Sequence, residues 1–553
     1  MSINLSKTLA QRSLLGLLAV LWASLATSEV AAPDASSAIP EPAALEREAA
    51  IIGEVFIYPE NIFDLHDPQE DRRLYRLANS LHVRTQPRVI REQLLFKSGD
   101  LYSERLLAES ERILRTARYL YDATVRPVAY HDGYVDVAVT TRDVWTLNPG
   151  ISFSRHGGEN TMGFEIEELN FLGTGTDISV AQKSNVDRDS TLVEYKDSHL
   201  FGTWVNMQAA YASNSDGSLQ ALTLHRPFYA LDSRWTSALS IVRNDRTESL
   251  YDLGEALDQH RVNTRFASLF WGWSHGLENG WVKRWTIGAT FDENRFAAIA
   301  GDSPKGFIPD DRRLVYPWIG FELVQDHFHK LRNRDQIGRT EDFYLGTRFS
   351  ALLGFASESY GSDRNALMFA STLGHGRDLS ERTTLLLNGG IKGRLESGSL
   401  QNTIVDAAAR YYVKLSERRL FFATLEASAG RSLDLDTQIL LGGDNGLRGY
   451  PLRYVSGDAR ALLTVEQRYF TDWYPWRLFR VGAAAFIDIG RTWGDSTFGT
   501  PNPGLLKDIG FGLRFGSSRS GLGNIIHVDL AFPLDGTGDI SSTQILVETK
   551  QRF

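Results

Sequence analysis

Four groups of residues carry types and spacings that could do chemistry. Gly272-Trp273-Ser274-His275-Gly276 fits the G-x-S-x-G pattern of a nucleophile elbow. That device needs a strand, a sharp turn and then a helix, and here it sits in a run of strand-like segments, so the match is read as chance. His327-x-His329 would place two imidazoles on one strand face, but no nearby Cys or third ligand completes a metal site. Gly173-x-Gly175 lacks the third Gly and the following helix of a dinucleotide site. The fourth group is electrostatic. Arg448 stands in Leu440-Leu441-Gly442-Gly443-Asp444-Asn445-Gly446-Leu447-Arg448-Gly449-Tyr450. A guanidinium is built for two-pronged pairing with a carboxylate. The glycines around it, Gly442 and Gly443 included, let a backbone turn sharply and approach a wall closely. No catalytic residue, cofactor or metal is expected.

What must position Arg448 is the long region 144–553. It shows almost no helical periodicity and repeats segments of about ten alternating residues between polar, Gly-rich turns, as a transmembrane barrel does. In Ala461–Phe470, Leu463, Val465 and Tyr469 share one phase, and Thr464, Glu466 and Arg468 the other. In Arg480–Gly490, Val481, Ala483, Ala485, Ile487 and Ile489 oppose Gly482, Ala484, Phe486, Asp488 and Gly490. In Asn524–Leu534, Ile526, Val528, Leu530 and Phe532 alternate with His527, Asp529 and Ala531. Lipid outside and water inside impose that alternation, and Glu466 and Asp488 fall on the lumen phase. Asp472-Trp473-Tyr474-Pro475-Trp476 places aromatics where an interfacial girdle would lie. A terminal strand ends in Phe553, a C-terminal aromatic of the kind that marks barrels for insertion. A soluble β-sandwich would also alternate, but the length of the array and the leader favour a barrel.

Composition agrees. The 553 residues contain no Cys, so neither disulfides nor thiolate metal sites arise. Net charge is −9 without long runs of one sign, which excludes a basic nucleic-acid footprint. Gly (48), Phe (29), Tyr (20) and Trp (12) are frequent, yet beyond the N-terminus no apolar run reaches the roughly 20 residues of a membrane helix. Lys7, Arg12 and the apolar stretch Leu14–Ala26, followed by small residues, read as a secretory signal over 1–32. Residues 33–49, rich in Ala, Pro, Ser and Glu, read as a linker.

Residues 50–143 read as a small α/β unit. Ile51–Tyr58 is a strand. Leu74, Leu77, Ala78 and Leu81 share one face of a charged helix. Thr85 is placed to cap a second helix with Pro87 in its first turn and Val89, Ile90, Leu94 and Leu95 as its buried stripe. Ser103 caps a third helix, and strands Ala123–Tyr130 and Tyr134–Arg142 close the unit.

Thr85-x-Pro87, Lys97-Ser98-Gly99-Asp100, Tyr102-Ser103 and Arg118-Tyr119-Leu120 resemble the polypeptide-transport-associated (POTRA) domain. The segment 59–82 is longer than that pattern. The run ending Arg448-Gly449-Tyr450, with Phe486-Ile487-Asp488-Ile489-Gly490, resembles the BamA/TamA/FhaC superfamily of bacterial surface antigen barrels. Asn170-Phe171-Leu172-Gly173-Thr174-Gly175, Gly510–Phe515 and Asp529–Leu534 match further patterns in the right order. The resemblance implies an all-β antiparallel barrel of about 16 strands behind one POTRA domain, lying in the bacterial outer membrane with the POTRA domain in the periplasm. It implies that the Arg448 loop folds into the lumen, where Arg448 bridges to Glu466, Asp488 or both. It further implies an assembly, insertion or translocation factor that engages unfolded or partly folded polypeptide clients by strand addition to the POTRA sheet and at the barrel seam. Outer-membrane lipid would surround it. Periplasmic or lipoprotein partners are compatible with the reading, and nucleic acid is not. The alternatives are a two-partner-secretion pore for one exoprotein, which usually carries two POTRA units, and a passive channel.

Overall fold

The structure is a computed structural model, and it describes residues 39–299, 307–494, 496, 498–521, 525–535 and 540–550. The expected signal segment and Phe553 lie outside the described residues. Part of the expected linker is ordered: helix α1 (Pro42–Arg47) sinks Leu45 into the core of the N-terminal unit.

That unit is a three-stranded sheet covered by helices. Strand β3 (Tyr134–Asp143) is central, pairing parallel with β1 (Ile51–Glu60) and antiparallel with β2 (Leu120–His131). Val135, Val137 and Val139, alternate residues of β3, are all buried, as a half-covered strand requires. Helix α3 (Pro87–Arg91) lies against β1 and α4 (Glu104–Thr116) against β2, contributing Val89, Ile90, Leu107 and Leu114 to the core. Two sequence expectations change here. Thr85 caps nothing: Gln86 holds the N-cap position of α3, while the Thr85 N–H and hydroxyl both donate to Asp143 at 2.7 and 2.9 Å. A buried carboxylate within reach is a stronger acceptor than the helix end is a donor. Helix α2 (Arg73–Leu81) does carry its leucines on one face, but that face is turned outward, and Tyr75 is its buried residue.

The rest of the chain closes into an antiparallel barrel of 20 strands, from Leu147–His156 to Gln544–Lys550. The expected count of about 16 is therefore too low. Local alternation shows that a segment is a strand but says nothing of how many tilted strands a cylinder must hold before its ends meet. Parity is preserved, because each strand reverses direction and the two chain ends leave on one side. The chain enters beside the N-terminal unit, so the "near rim" below carries that unit and the "far rim" is opposite.

Outward faces are apolar. Trp271, Ile287, Ile319 and Leu353 are register partners on four adjacent strands, and all are exposed. A contiguous belt of this kind is what hydrocarbon, not water, stabilises. The opposite, inward phase of these strands mixes Gly272, Thr286, Gly288 and Gly320 with the aromatic pair Phe270–Trp318. Ser274, from the discounted elbow, lies within the strand Glu255–Glu278, its Oγ donating to the Lys283 carbonyl at 2.8 Å.

The wall is not uniform. Neighbouring strands pair along most of their length, whereas the first and last strands meet, among the described residues, at the single pair Val547–Arg155. Beside this seam the near rim is stitched differently: the Trp145 N–H donates to the Arg519 carbonyl at 2.7 Å, and the Gly521 N–H to the Trp145 carbonyl at 3.2 Å.

Candidate functional site: an arginine loop in the barrel lumen

The far-rim loop 432–458 folds back into the barrel. A short ladder, Ile439–Leu441 against Val455–Gly457, brings it in, and the turn between them is self-bonded. The Gly442 N–H donates to Asn445 Oδ1 at 2.6 Å, and the Leu447 N–H to the Gly442 carbonyl at 3.0 Å. The Gly443 N–H reaches the Pro451 carbonyl at 2.8 Å. The turn presents Arg448 to the wall formed by the strands Ala459–Phe470 and Phe479–Trp493.

Arg448 is gripped on three sides. Its Nε and Nη2 donate to the two Asp488 oxygens at 2.7 and 2.9 Å, and Nη1 donates to Glu466 Oε1 at 2.9 Å. Asp529 Oδ2 lies 3.7 Å from the same Nη1. The guanidinium carbon stands 3.3 Å from the Phe486 ring centroid, so an aromatic face covers the remaining side. Arg448 is 5% exposed and Asp488 0%. Charges this far from water persist only where partners satisfy them, and both partners are themselves held: Thr464 Oγ1 donates to Asp488 Oδ1 at 2.7 Å, and Arg468 Nε to Glu466 Oε2 at 2.9 Å. Arg448 thus has both Glu466 and Asp488 within hydrogen-bond distance.

The neighbours of Arg448 dock as tightly. The Gly449 N–H donates to Asp508 Oδ2 at 3.0 Å. A Cβ at Gly449 would lie 2.6 Å from the Asp508 Cβ and 3.1 Å from the Pro533 nitrogen, so only glycine fits there. The Tyr450 hydroxyl lies 2.7 Å from the Asp535 carbonyl and accepts from the Lys507 N–H at 3.1 Å. Gly442 and Gly443 have no room for a Cβ either, with the Pro451 and Tyr450 carbonyl oxygens 2.5 and 2.4 Å from where it would sit. Farther along, Arg453 pairs with both Asp187 oxygens at 2.8 Å, tying the loop to a far-rim turn on the other side of the barrel.

Sequence reasoning put Arg468 and Asp529 on the polar phase of their strands without assigning them to this site, and it did not single out Asp508 or Arg514. Asp508, Asp529, Arg468 and Arg514 complete a network of alternating charge, with Arg514 paired to Asp529. Asp529 and Arg514 lie within quoted motifs, and the lumen phase of their strands was the available signal. Among the described residues one group could by spacing hold a metal, namely His527, Asp529 and Glu548. Asp529 is already committed to Arg514, with Arg448 beside it, so cationic side chains occupy the position a metal ion would need.

Also unforeseen is the near-rim insertion 326–346. Its hairpin, Phe328–Arg332 against Thr340–Tyr344, turns into the lumen, where Ile337, Phe343 and Leu345 pack with Leu386, Tyr412, Leu420 and Phe422. It is also bolted to the N-terminal unit: Arg115 Nε and Nη2 donate to the Asp342 oxygens at 2.8 and 2.7 Å, and Lys330 pairs with Glu111. Burial alone would raise the Glu111 carboxyl. Bonds from Lys330, Arg115 and the Val125 N–H outweigh it and hold the group below the ordinary glutamate range. Arg468 connects the two plugs through Glu466: its Nε donates to Glu466, the partner of Arg448, and its Nη1 donates to the Arg334 carbonyl at 3.0 Å. The Asn170 motif belongs to this rim too. Asn170 Nδ2 donates to Thr85 Oγ1 at 2.8 Å, so the motif joins the barrel to the N-terminal unit.

No family model matches this sequence. A putative outer membrane protein assembly factor from Treponema pallidum (strain Nichols) is 31% identical over 127 residues, 22% of this chain. The matched part is 15% of that protein's length. Among solved structures, CdiB from Escherichia coli aligns over 90% of this chain and 76% of its own, at 13% identity and a TM-score of 0.45. BamA from Haemophilus ducreyi lacking POTRA domains 1–3 aligns over 90% and 84%, at 13% identity and a TM-score of 0.36.

Proposed function

We propose that this chain is an outer-membrane barrel of the BamA/TamA/FhaC type that inserts or translocates polypeptides, with residues 50–143 as one POTRA domain in the periplasm. The observation that carries the reading is a pairing of opposites. One part of the barrel wall is clamped by the buried Arg448 loop at Glu466 and Asp488, while with two strands between, the last strand meets the first only at Val547–Arg155 among the described residues. A client strand entering lipid brings unpaired N–H and C=O groups that hydrocarbon cannot satisfy. A weakly closed seam offers those groups a template, and the rigid, loop-braced wall keeps the cylinder from collapsing when the seam parts. The β1 edge of the POTRA sheet offers a second place for strand addition. Free energy comes from client folding and apolar burial, so no nucleotide is needed. A passive channel fits less well, because plugs enter the lumen from both rims.

The test uses the absence of native cysteine. Val547→Cys with Arg155→Cys creates a disulfide across the seam in an otherwise thiol-free chain. Depletion of the wild type while the locked variant is expressed should remove many barrels from the outer-membrane proteome, with recovery on reduction. Loss of a single exoprotein assigns secretion instead. Full activity of the oxidised, locked protein removes seam opening from the account.

A further inference from the structure

The N-terminal unit carries a surface that neither its own core nor the lumen explains. On α2, Leu74, Leu77 and Leu81 are 66%, 53% and 58% exposed, and Val83 beside them is also exposed. They stand at i, i+3 and i+7, one stripe of the helix. Around them are Arg72, Arg73, Arg76 and Arg84, with no acidic residue from 72 to 84. Arg76 pairs with Asp71, while Arg73 and Arg84 form no ion pair among the described residues.

The position of this helix is fixed. Tyr75 stacks on Phe63 with centroids 4.2 Å apart and donates its hydroxyl to the Trp476 carbonyl at 2.6 Å. Ile62, Phe63 and Tyr75 pack with Trp145 and Leu478, so the helix sits on the near rim beside the seam. The connection before it is held as well, with Arg477 bonded to Asp67 and Glu70 at 3.1 Å each and Arg519 paired to Glu70. The barrel turn against which it lies exposes Trp473 and Trp476, residues suited to a headgroup interface. The helix that carries the leucine stripe is therefore docked through Tyr75 on the turn that bears the barrel's own interfacial aromatics.

We propose that α2 is an interfacial anchor: its leucines enter the phospholipid leaflet at the near rim beside the seam, and its arginines meet anionic headgroups. An apolar stripe flanked by arginines is the pattern of a helix that lies in a membrane surface. Bound this way, the helix holds the N-terminal unit beside the place where the first strand starts, and it disturbs lipid packing there. The inference rests on the barrel being embedded in a bilayer, and its test separates the two claims.

Single cysteines are placed at Leu77, at Leu269 in the outward belt, and at Asp132 in the β2–β3 turn of the full chain. Each is labelled with an environment-sensitive fluorophore. The protein is reconstituted into vesicles of phosphatidylethanolamine and phosphatidylglycerol, with or without nitroxide-bearing lipid. The expected result is strong quenching at Leu269→Cys, quenching at Leu77→Cys several-fold above that at Asp132→Cys, and a blue-shifted Leu77 emission. Quenching at Leu77 equal to that at Asp132, with Leu269 strongly quenched, overturns the anchor and leaves the barrel reading intact; the stripe then belongs to a protein partner. Absence of quenching at Leu269 overturns both.

Discussion

The far-rim loop 432–458 and the near-rim hairpin of 326–346 both fold into the same lumen, yet they are held differently. The loop packs Leu441, Leu447 and Tyr450 against Leu462 and Leu506, and to this it adds a buried charge network inside the lumen: Arg448 between Asp488 and Glu466, with Gly449 on Asp508. The hairpin is held by apolar packing of Ile337, Phe343 and Leu345 against the wall, and by ion pairs to a domain outside the barrel. A buried ion network has one geometry and fails if one member is removed. An apolar cluster tolerates sliding and repacking. The difference suits a wall that stays fixed at one end and a plug that follows the N-terminal unit at the other.

Arg448→Ala breaks the comparison hardest. It strands Asp488 and Glu466 without their cation in a dry site, and the cost expected is about 3–5 kcal/mol. Thermal unfolding in detergent, read as the loss of the compact, fast-migrating band on unheated gels, should fall markedly, and client insertion should be lost. An unchanged transition would show that water reaches the network and that the loop is held elsewhere.

Gly449→Ala sharpens the claim that close approach matters. The added methyl meets Asp508 and the Pro533 nitrogen, and overpacking of this kind costs about 1–3 kcal/mol. The same readout applies, and stability equal to wild type would mean the wall gives way freely.

At the near rim, Asp342→Ala removes a half-buried pair to Arg115 and leaves the barrel wall intact. The expected loss is smaller, on the order of 1 kcal/mol. It should appear as faster proteolysis of 50–143 with an unchanged barrel transition. Acid should act at the same joint. Glu111 is held below its ordinary value when folded, so its contribution is complete above the ordinary glutamate range and disappears as pH falls through the lowered value. Protease sensitivity of the unit that rises as pH drops below that range, and less so in Glu111→Gln, is the expected pattern. A pH-independent joint would assign the docking to the Asp143–Thr85–Asn170 contacts instead. Arg453→Ala, at a partly exposed far-rim pair, should change stability by less than about 1 kcal/mol.

Much of the site was legible before any coordinates. Strict alternation put Glu466, Arg468, Asp488 and Asp529 on one side of their strands, because a strand facing lipid has no other place for charge. The Gly-rich context of Arg448 announced a backbone that must pass close to something. The partners of that approach were only partly legible. Asp508 and Asp529 become neighbours of Arg448 through register between strands, and register is a relation between segments that no single segment encodes. The helix 73–81 illustrates the limit from the other side. Its apolar stripe was read correctly from spacing, but whether a stripe faces a core or a bilayer depends on what else occupies that space.

Taken alone, the sequence determined that the chain after residue 143 is built of alternating strands with one apolar and one polar face, and it favoured a closed barrel over a sandwich, since in lipid backbone groups and alternating side chains allow nothing else. Tertiary structure decided the number of strands, the entry of a hairpin from the near rim, and the convergence of three arginines with four carboxylates on one patch of wall. Those outcomes depend on shear, closure and register, which are set only when distant segments meet in space.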